Sequence, residues 1–196
     1  VSDPYHPNII GYVITPGLAE KVALAGDLAF VADGEGGLQV INVSYPRYPF
    51  IIGSVETPNP ARGVCVMGNK AYVGDGNEIL VVDATNPYNP LIINKIWTGH
   101  YPIDVAFSDN ILFVAGISGL KTIDVEDPLS PQIIGSVDIS SAMVFSTGDY
   151  PMIDNITVAA GRAFATDSSN GGLYIIDVSD PRQPAVAGYV DIPGEA

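Results

Sequence analysis

Apolar residues fall in short, dense runs separated by turn-forming residues. Val22-Ala-Leu24, Ala29-Phe-Val31 and Leu38-Gln-Val-Ile-Asn42 come in close succession, and Ile51-Ile52-Gly53 follows a pair of prolines. The same order returns as Val64-Cys-Val66, Ala71-Tyr-Val73, Ile79-Leu-Val-Val-Asp83 and Ile92-Ile93-Asn94. It returns again from Val105 to Gly135 and from Ile156 to Gly188. The runs are rich in β-branched and aromatic side chains and are bounded by Gly, Asp or Asn, so they predict strands. In the first complete unit these strands span 22–26, 29–32, 38–42 and 50–56. No segment sustains a 3.6-residue apolar period, so helices are expected to be nearly absent. Apolar residues at consecutive positions, without clean alternation, imply that both faces of each sheet are covered.

A second regularity sets the period. Two prolines at P-x-x-P spacing close the segments that begin at Val1, Val43, Ala84, Val125 and Val178. The first three intervals are 41–42 residues and the fourth is about a dozen longer, which places an insertion near 139–154. A four-stranded propeller blade occupies a period of about 40–45 residues. Blades stacked around an axis hide both faces of every sheet. The expected fold is therefore all-β, with four complete four-stranded blades in a single domain over 1–196. A fifth outer strand, near residues 8–14, has no preceding strands to pair with. Either the chain is part of a larger propeller, or that strand pairs with another molecule through its edge.

The runs Leu38-Gln-Val-Ile-Asn42, Ile79-Leu-Val-Val-Asp83, Leu120-Lys-Thr-Ile-Asp124 and Leu173-Tyr-Ile-Ile-Asp177 resemble the LVIVD repeat, and Val-Ser-Asp-Pro follows the last of them. Ala-Phe-Val-Ala-Asp33 and Ala-Tyr-Val-Gly-Asp75 resemble the strand that precedes it in that repeat. The resemblance extends over essentially the whole chain. It implies a β-propeller from a bacterial or archaeal protein that is secreted or held at the cell surface, and it brings no agreed catalytic residues. The chain departs from the pattern at Asn42, at Gly116 where Asp is usual, and throughout the insertion.

Composition narrows the functional classes. With 8 Lys and Arg against 22 Asp and Glu, the net charge is −14, which argues against binding a phosphate backbone. No apolar stretch approaches the roughly 18–20 residues that a membrane helix needs. Cys65 is the single cysteine and sits mid-strand, where a small buried hydrophobe is expected. The sequence carries no G-x-S-x-G, H-E-x-x-H or C-x-x-C motif.

Aligning the repeats places Glu20, Arg62, Ile103 and Asp154 in one tier at the starts of the innermost strands, with Lys21, Gly63, Asp104 and Asn155 in the next. This mixed-charge ring suits a small polar ligand or a cation at the channel mouth, and His100 lies on the same face. The loops after the second strands gather Asp33, Glu35, Asp75 and Asp167 on Gly-rich turns, an oxygen-rich setting compatible with Ca²⁺. Ordinary tight turns account for the same residues. No other cofactor is indicated. Met143, Phe145, Tyr150 and Met152 make the insertion more apolar than a solvated loop, which suggests a contact surface or a cover over the channel. Two sequons occur, at Asn42 and Asn155. The leading expectation is a non-enzymatic extracellular or cell-surface module that binds protein partners or like chains and assembles through strand edges. A ligand or metal site at the channel mouth, with hydrolytic chemistry, is the alternative.

Overall fold

Two-residue turns start each unit. Asp109 and Asn110 both take positive φ (51° and 64°), as do Ala160 and Gly161 (51° and 70°). This conformation matches the right-handed twist of the strands it joins. In blades one and two only the first turn residue, Gly26 (58°) or Gly68 (57°), takes positive φ. The computed structural model describes residues 5–117, 119–139, 152–169 and 171–192. The resulting sheets are β1 (Lys21–Ala25) to β4 (Phe50–Val55), β5 (Ala61–Met67) to β8 (Leu91–Trp97), β9 (Pro102–Ser108) to β12 (Gln132–Asp138), and β13 (Ile153–Ala159) to β16 (Ala185–Asp191). Each is a four-stranded antiparallel meander in chain order, one blade apiece. No helix occurs among the described residues, and none is long and apolar enough to cross a membrane.

In the two middle blades, alternate side chains of a strand pack on opposite neighbouring blades. In β6 and β7, spanning Lys70–Asp75 and Glu78–Asp83, Ala71, Val73, Leu80 and Val82 pack against blade one. Tyr72, Ile79 and Val81 pack against blade three. A third core joins blades three and four around Phe113, Leu120, Ile139, Ile156, Tyr174 and Ile176. The chain thus has three inter-blade cores in place of one central core. A smaller cluster of Ala29, Val31 and Ile41 lies on the opposite face of blade one, with Val13 against it.

A register shift recurs between the third and fourth strands of all four blades, between Val40 and Ile41, Val81 and Val82, Thr122 and Ile123, and Ile175 and Ile176. Each inserts one residue into the outer strand and bends it. Beside the bulge a glycine admits the next blade's proline turn. A Cβ on Gly53 would lie 2.2 Å from the Pro87 carbonyl oxygen, and one on Gly135 would lie 2.4 Å from that of Pro181. Asn94 fills this place in blade two and instead donates from Nδ2 to the carbonyls of Pro128 and Leu129.

Residues 8–14 join no ladder among the described residues, so the expected fifth strand is not paired. Gly11 nevertheless sits beneath Pro46, with its virtual Cβ 2.1 Å from the carbonyl oxygen, as Gly53 sits beneath Pro87. The segment holds the place of an outer strand without forming one. Of the insertion's contact residues, Met143, Phe145 and Tyr150 lie outside the described residues. Met152 bridges to Ile117 of blade three.

Gly116, the departure from the repeat in blade three, has a steric cause. A Cβ there would lie 2.0 Å from the backbone oxygen of Tyr101, because the linker into β9 passes directly over it. Gly116→Asp restores the residue of the other blades but forces that linker away. We expect it to destabilise the fold by about 1–3 kcal/mol in urea denaturation. A neutral or stabilising effect would contradict the packing described.

Candidate functional site

The innermost strands β1, β5, β9 and β13 lie side by side. One tier of the expected ring does converge. The Lys21 ammonium donates to Asp104 Oδ2 at 2.6 Å and to Asn155 Oδ1 at 2.9 Å, joining blades one, three and four. Asp104 is 1% exposed. Its carboxylate also accepts the backbone N–H of Ile156 on Oδ2 and that of Val105 on Oδ1, each at 2.9 Å. Gly63 completes the tier from blade two, where a Cβ would lie 2.9 Å from the Asp104 Cα. The buried charge is thus compensated on several sides by protein donors.

The other tier is looser. Arg62 Nη1 stands 3.9 Å from Glu20 Oε1, both side chains being partly exposed. Arg62 Nε donates to the Tyr101 hydroxyl at 3.1 Å, and the guanidinium lies over the Tyr101 ring at 5.4 Å. The Tyr101 hydroxyl is the main cause that raises the Arg62 pKa above its ordinary value. Asp154 turns away from the axis and accepts the Ser168 N–H at 2.8 Å.

His100 stands apart from the ring. Both its ring nitrogens are buried with no hydrogen-bond partner among the described residues. Burial first, then the Lys121 ammonium, lower its pKa to about 4, so the imidazole is neutral near pH 7. Its carbonyl accepts the Thr98 hydroxyl at 2.7 Å. Cys65 is buried, and desolvation pushes its thiol well above the ordinary range, so it offers no thiolate nucleophile.

The carboxylates proposed for Ca²⁺ are not brought together. Asp33, Asp75 and Asp167 occupy three separate blades, all buried, while Glu35 points outward from an exposed turn. Each aspartate clamps the linker that enters its own blade. Asp33 accepts the Thr15 hydroxyl at 2.5 Å and the Gly17 N–H at 2.8 Å. Asp75 accepts the Asn59 N–H at 2.7 Å, and burial raises its pKa. Asp167 accepts the Met152 N–H at 3.3 Å and both the N–H and hydroxyl of Ser169. Among the described residues no three His, Cys, Asp or Glu side chains converge in a way that suits a metal ion. These clamps escaped the sequence reading because their donors are chiefly backbone N–H groups some 15–16 residues upstream, which carry no residue signature.

In three blades an aspartate at the end of the third strand shapes the following turn. Asp83, Asp124 and Asp177 each accept the N–H two residues ahead, and Thr85 and Ser179 add their hydroxyls. For Asp83 and Asp177 these bonds are the main causes that lower the pKa. Asn42 does the same with Ser44, which explains why Asn serves there.

The clamp and turn aspartates recur at fixed places in successive blades, and the LVIVD repeat profile matches residues 16–57, 59–98, 101–139 and 154–192. The chain belongs to the LVIVD repeat family. Several solved structures share its architecture at low identity. A protein from Lactobacillus plantarum superposes with a TM-score of 0.75 at 13% identity, covering 88% of this chain and 57% of that one. A functionally unknown protein from Desulfotomaculum acetoxidans gives 0.72 at 16% identity, covering 90% and 58%. The β-propeller domain of Cps50 (Swd1) from Myceliophteria thermophila gives 0.62 at 12%, covering 87% and 58%. The LVIVD chain therefore spans a little over half the length of these structures, and at such identities they speak for the fold alone. No curated protein matches in sequence.

The two tiers differ in energetic weight. Asp104→Ala removes the acceptor shared by three blades and is expected to cost about 2–4 kcal/mol. Glu20→Ala breaks only a long, exposed ion pair and is expected to cost less than about 0.5 kcal/mol. Chemical denaturation of the two variants checks this, and equal costs would contradict the reading of Asp104 as a hub.

Proposed function

We propose that this LVIVD repeat chain is a non-enzymatic interaction module acting outside the cell, a rigid scaffold whose turns present aromatic side chains to protein partners. The observation that carries the reading is the exposure of tyrosines on the proline turns. Tyr45, Tyr48 and Tyr88 are 73%, 77% and 69% exposed. Their backbones are held firmly. The Tyr48 N–H donates to the Tyr45 carbonyl at 2.8 Å, the Tyr88 N–H donates to Asn86 Oδ1 at 3.2 Å, and flanking prolines fix the corners. Tyrosine on a preorganised turn offers a large amphipathic contact area at low entropic cost, which suits protein recognition. The family resemblance supports an extracellular setting. The ion pair of Lys21 with Asp104, and the hydrogen bond from Lys21 to Asn155, favour a scaffold over a site that receives a ligand at the channel mouth.

Two melting measurements test this. Replacing Tyr45, Tyr48 and Tyr88 together by Ser should leave the melting temperature within about 2 °C, since the side chains serve contact and not folding. Ca²⁺ or a chelator should leave it equally unmoved. A shift of several degrees with Ca²⁺ would replace this reading with a metal-dependent one.

A further inference from the structure

The three junctions between blades follow one plan, but the junction of blades three and four is filled differently from the others. A cavity of about 340 Å³ opens there, at the far end of β9 from Asp104. Its apolar wall is Ile111, Phe113, Val158 and Val178. The ladders place Ser108 where blade two has Met67, and Val158 where blade three has Phe107. In the junction of blades two and three, Met67 and Phe107 both pack against the core. In the junction of blades one and two, Asn69 holds the place of Gly161, and its amide donates to the Thr85 hydroxyl. Gly161 has no side chain to offer, and a Cβ on it would lie 3.4 Å from that of Ser179, the counterpart of Thr85. Small residues at Ser108, Val158 and Gly161 thus open a space that larger side chains occupy in the other junctions.

The rim of this cavity carries a charge that the other blades lack. Asp109 lines it and takes a φ of 51°. Gly26, Gly68 and Ala160 hold the same place in the other blades, so none of them presents a polar side chain there. A residue other than glycine is uncommon in this region of φ, and such a departure beside a cavity points to function. The Ser108 hydroxyl donates to Asp109 Oδ2 at 2.9 Å and holds the carboxylate beside the opening. Asp109 is the single charged residue of the lining among the described residues, and no ion pair among them answers it. We propose that the cavity between blades three and four binds a small organic cation, an apolar ring carrying an ammonium group. The ring lies against Phe113 and Val158, and the ammonium sits at Asp109. Small-molecule pockets run from roughly 300 to 1,000 Å³ and combine apolar walls with a few polar groups, so this volume suits a compact ligand. The net charge of −14 draws cations toward the chain. Tyr45, Tyr48 and Tyr88 take no part in the lining, so failure of this proposal leaves the preceding reading standing.

NMR titration of the full chain with phenethylamine tests the proposal, with 2-phenylethanol as the neutral compound of the same size. The amine is expected to saturate a single site and to shift the resonances of Phe113 and Val158. The alcohol binds about fivefold more weakly, the loss expected for one partly exposed charge pair. Asp109→Gly installs the residue of blades one and two at this φ, so the variant folds, and the amine then binds only as well as the alcohol. Ser108→Met combined with Val158→Phe brings in the side chains of the preceding junction and removes binding of both compounds. Gly161→Asn does the same by a single change, at a φ of 70° close to the 64° that Asn110 takes in the equivalent place. Circular dichroism checks the fold of each variant. An amine titration that never saturates overturns the proposal, as does equal affinity for amine and alcohol. So does amine binding that survives Gly161→Asn. Preference for the amine that survives Asp109→Gly overturns it too, since that is the signature of a cation drawn only to the overall charge of the chain.

Discussion

A sheet that is apolar on both faces cannot face water, and everything else in this structure follows from that constraint. Blades two and three have two such faces, each packed against a neighbour, and the chain supplies those neighbours by repeating itself. Repeat proteins distribute stability in this way, among like units and the interfaces between them. The outer-strand glycines follow from it. Gly53 and Gly135 exist because the next blade's proline turn must approach to van der Waals distance. The bulge that recurs beside them bends the outer strand around the turn.

The polar groups serve the same end. Buried carboxylates are costly unless compensated, and here each is compensated by donors that would otherwise be stranded at a loop or junction. Asp33, Asp75 and Asp167 fix the entry of the chain into their blades, and Asp83, Asp124 and Asp177 fix its exit. Asp104 joins three blades at the axis, where the apolar cores do not reach. The chemistry that looks most like a binding site in sequence is largely internal scaffolding. The aromatic side chains left exposed on the turns include Tyr45, Tyr48 and Tyr88.

The strands were legible because period and composition agree. The run expected at 38–42 is β3 to the residue, β2 and β4 differ from expectation by one residue at one end, and β1 is shifted by one residue. The inner tier was legible too, since aligning the repeats superposes Lys21, Asp104 and Asn155, and symmetry brings them to one axis. What was hidden depends on partners without a sequence signature. The aspartate clamps bind backbone N–H groups, so their residues read equally well as cation ligands. The reason for Gly116 lies in the path of the Tyr101 linker, a tertiary fact. Residues 8–14 carry the composition of a strand, but a strand forms only where a ladder partner is present.

The most direct test uses two neighbouring side chains on one strand. Ile79 and Leu80 on β7 are both fully buried, Ile79 toward blade three and Leu80 toward blade two's other neighbour, blade one. Truncating each to Ala in turn and measuring unfolding in denaturant should show both changes costing about 2–5 kcal/mol. If one of the two proved nearly neutral, that face of the sheet would be meeting solvent, and the double-faced blade would be wrong.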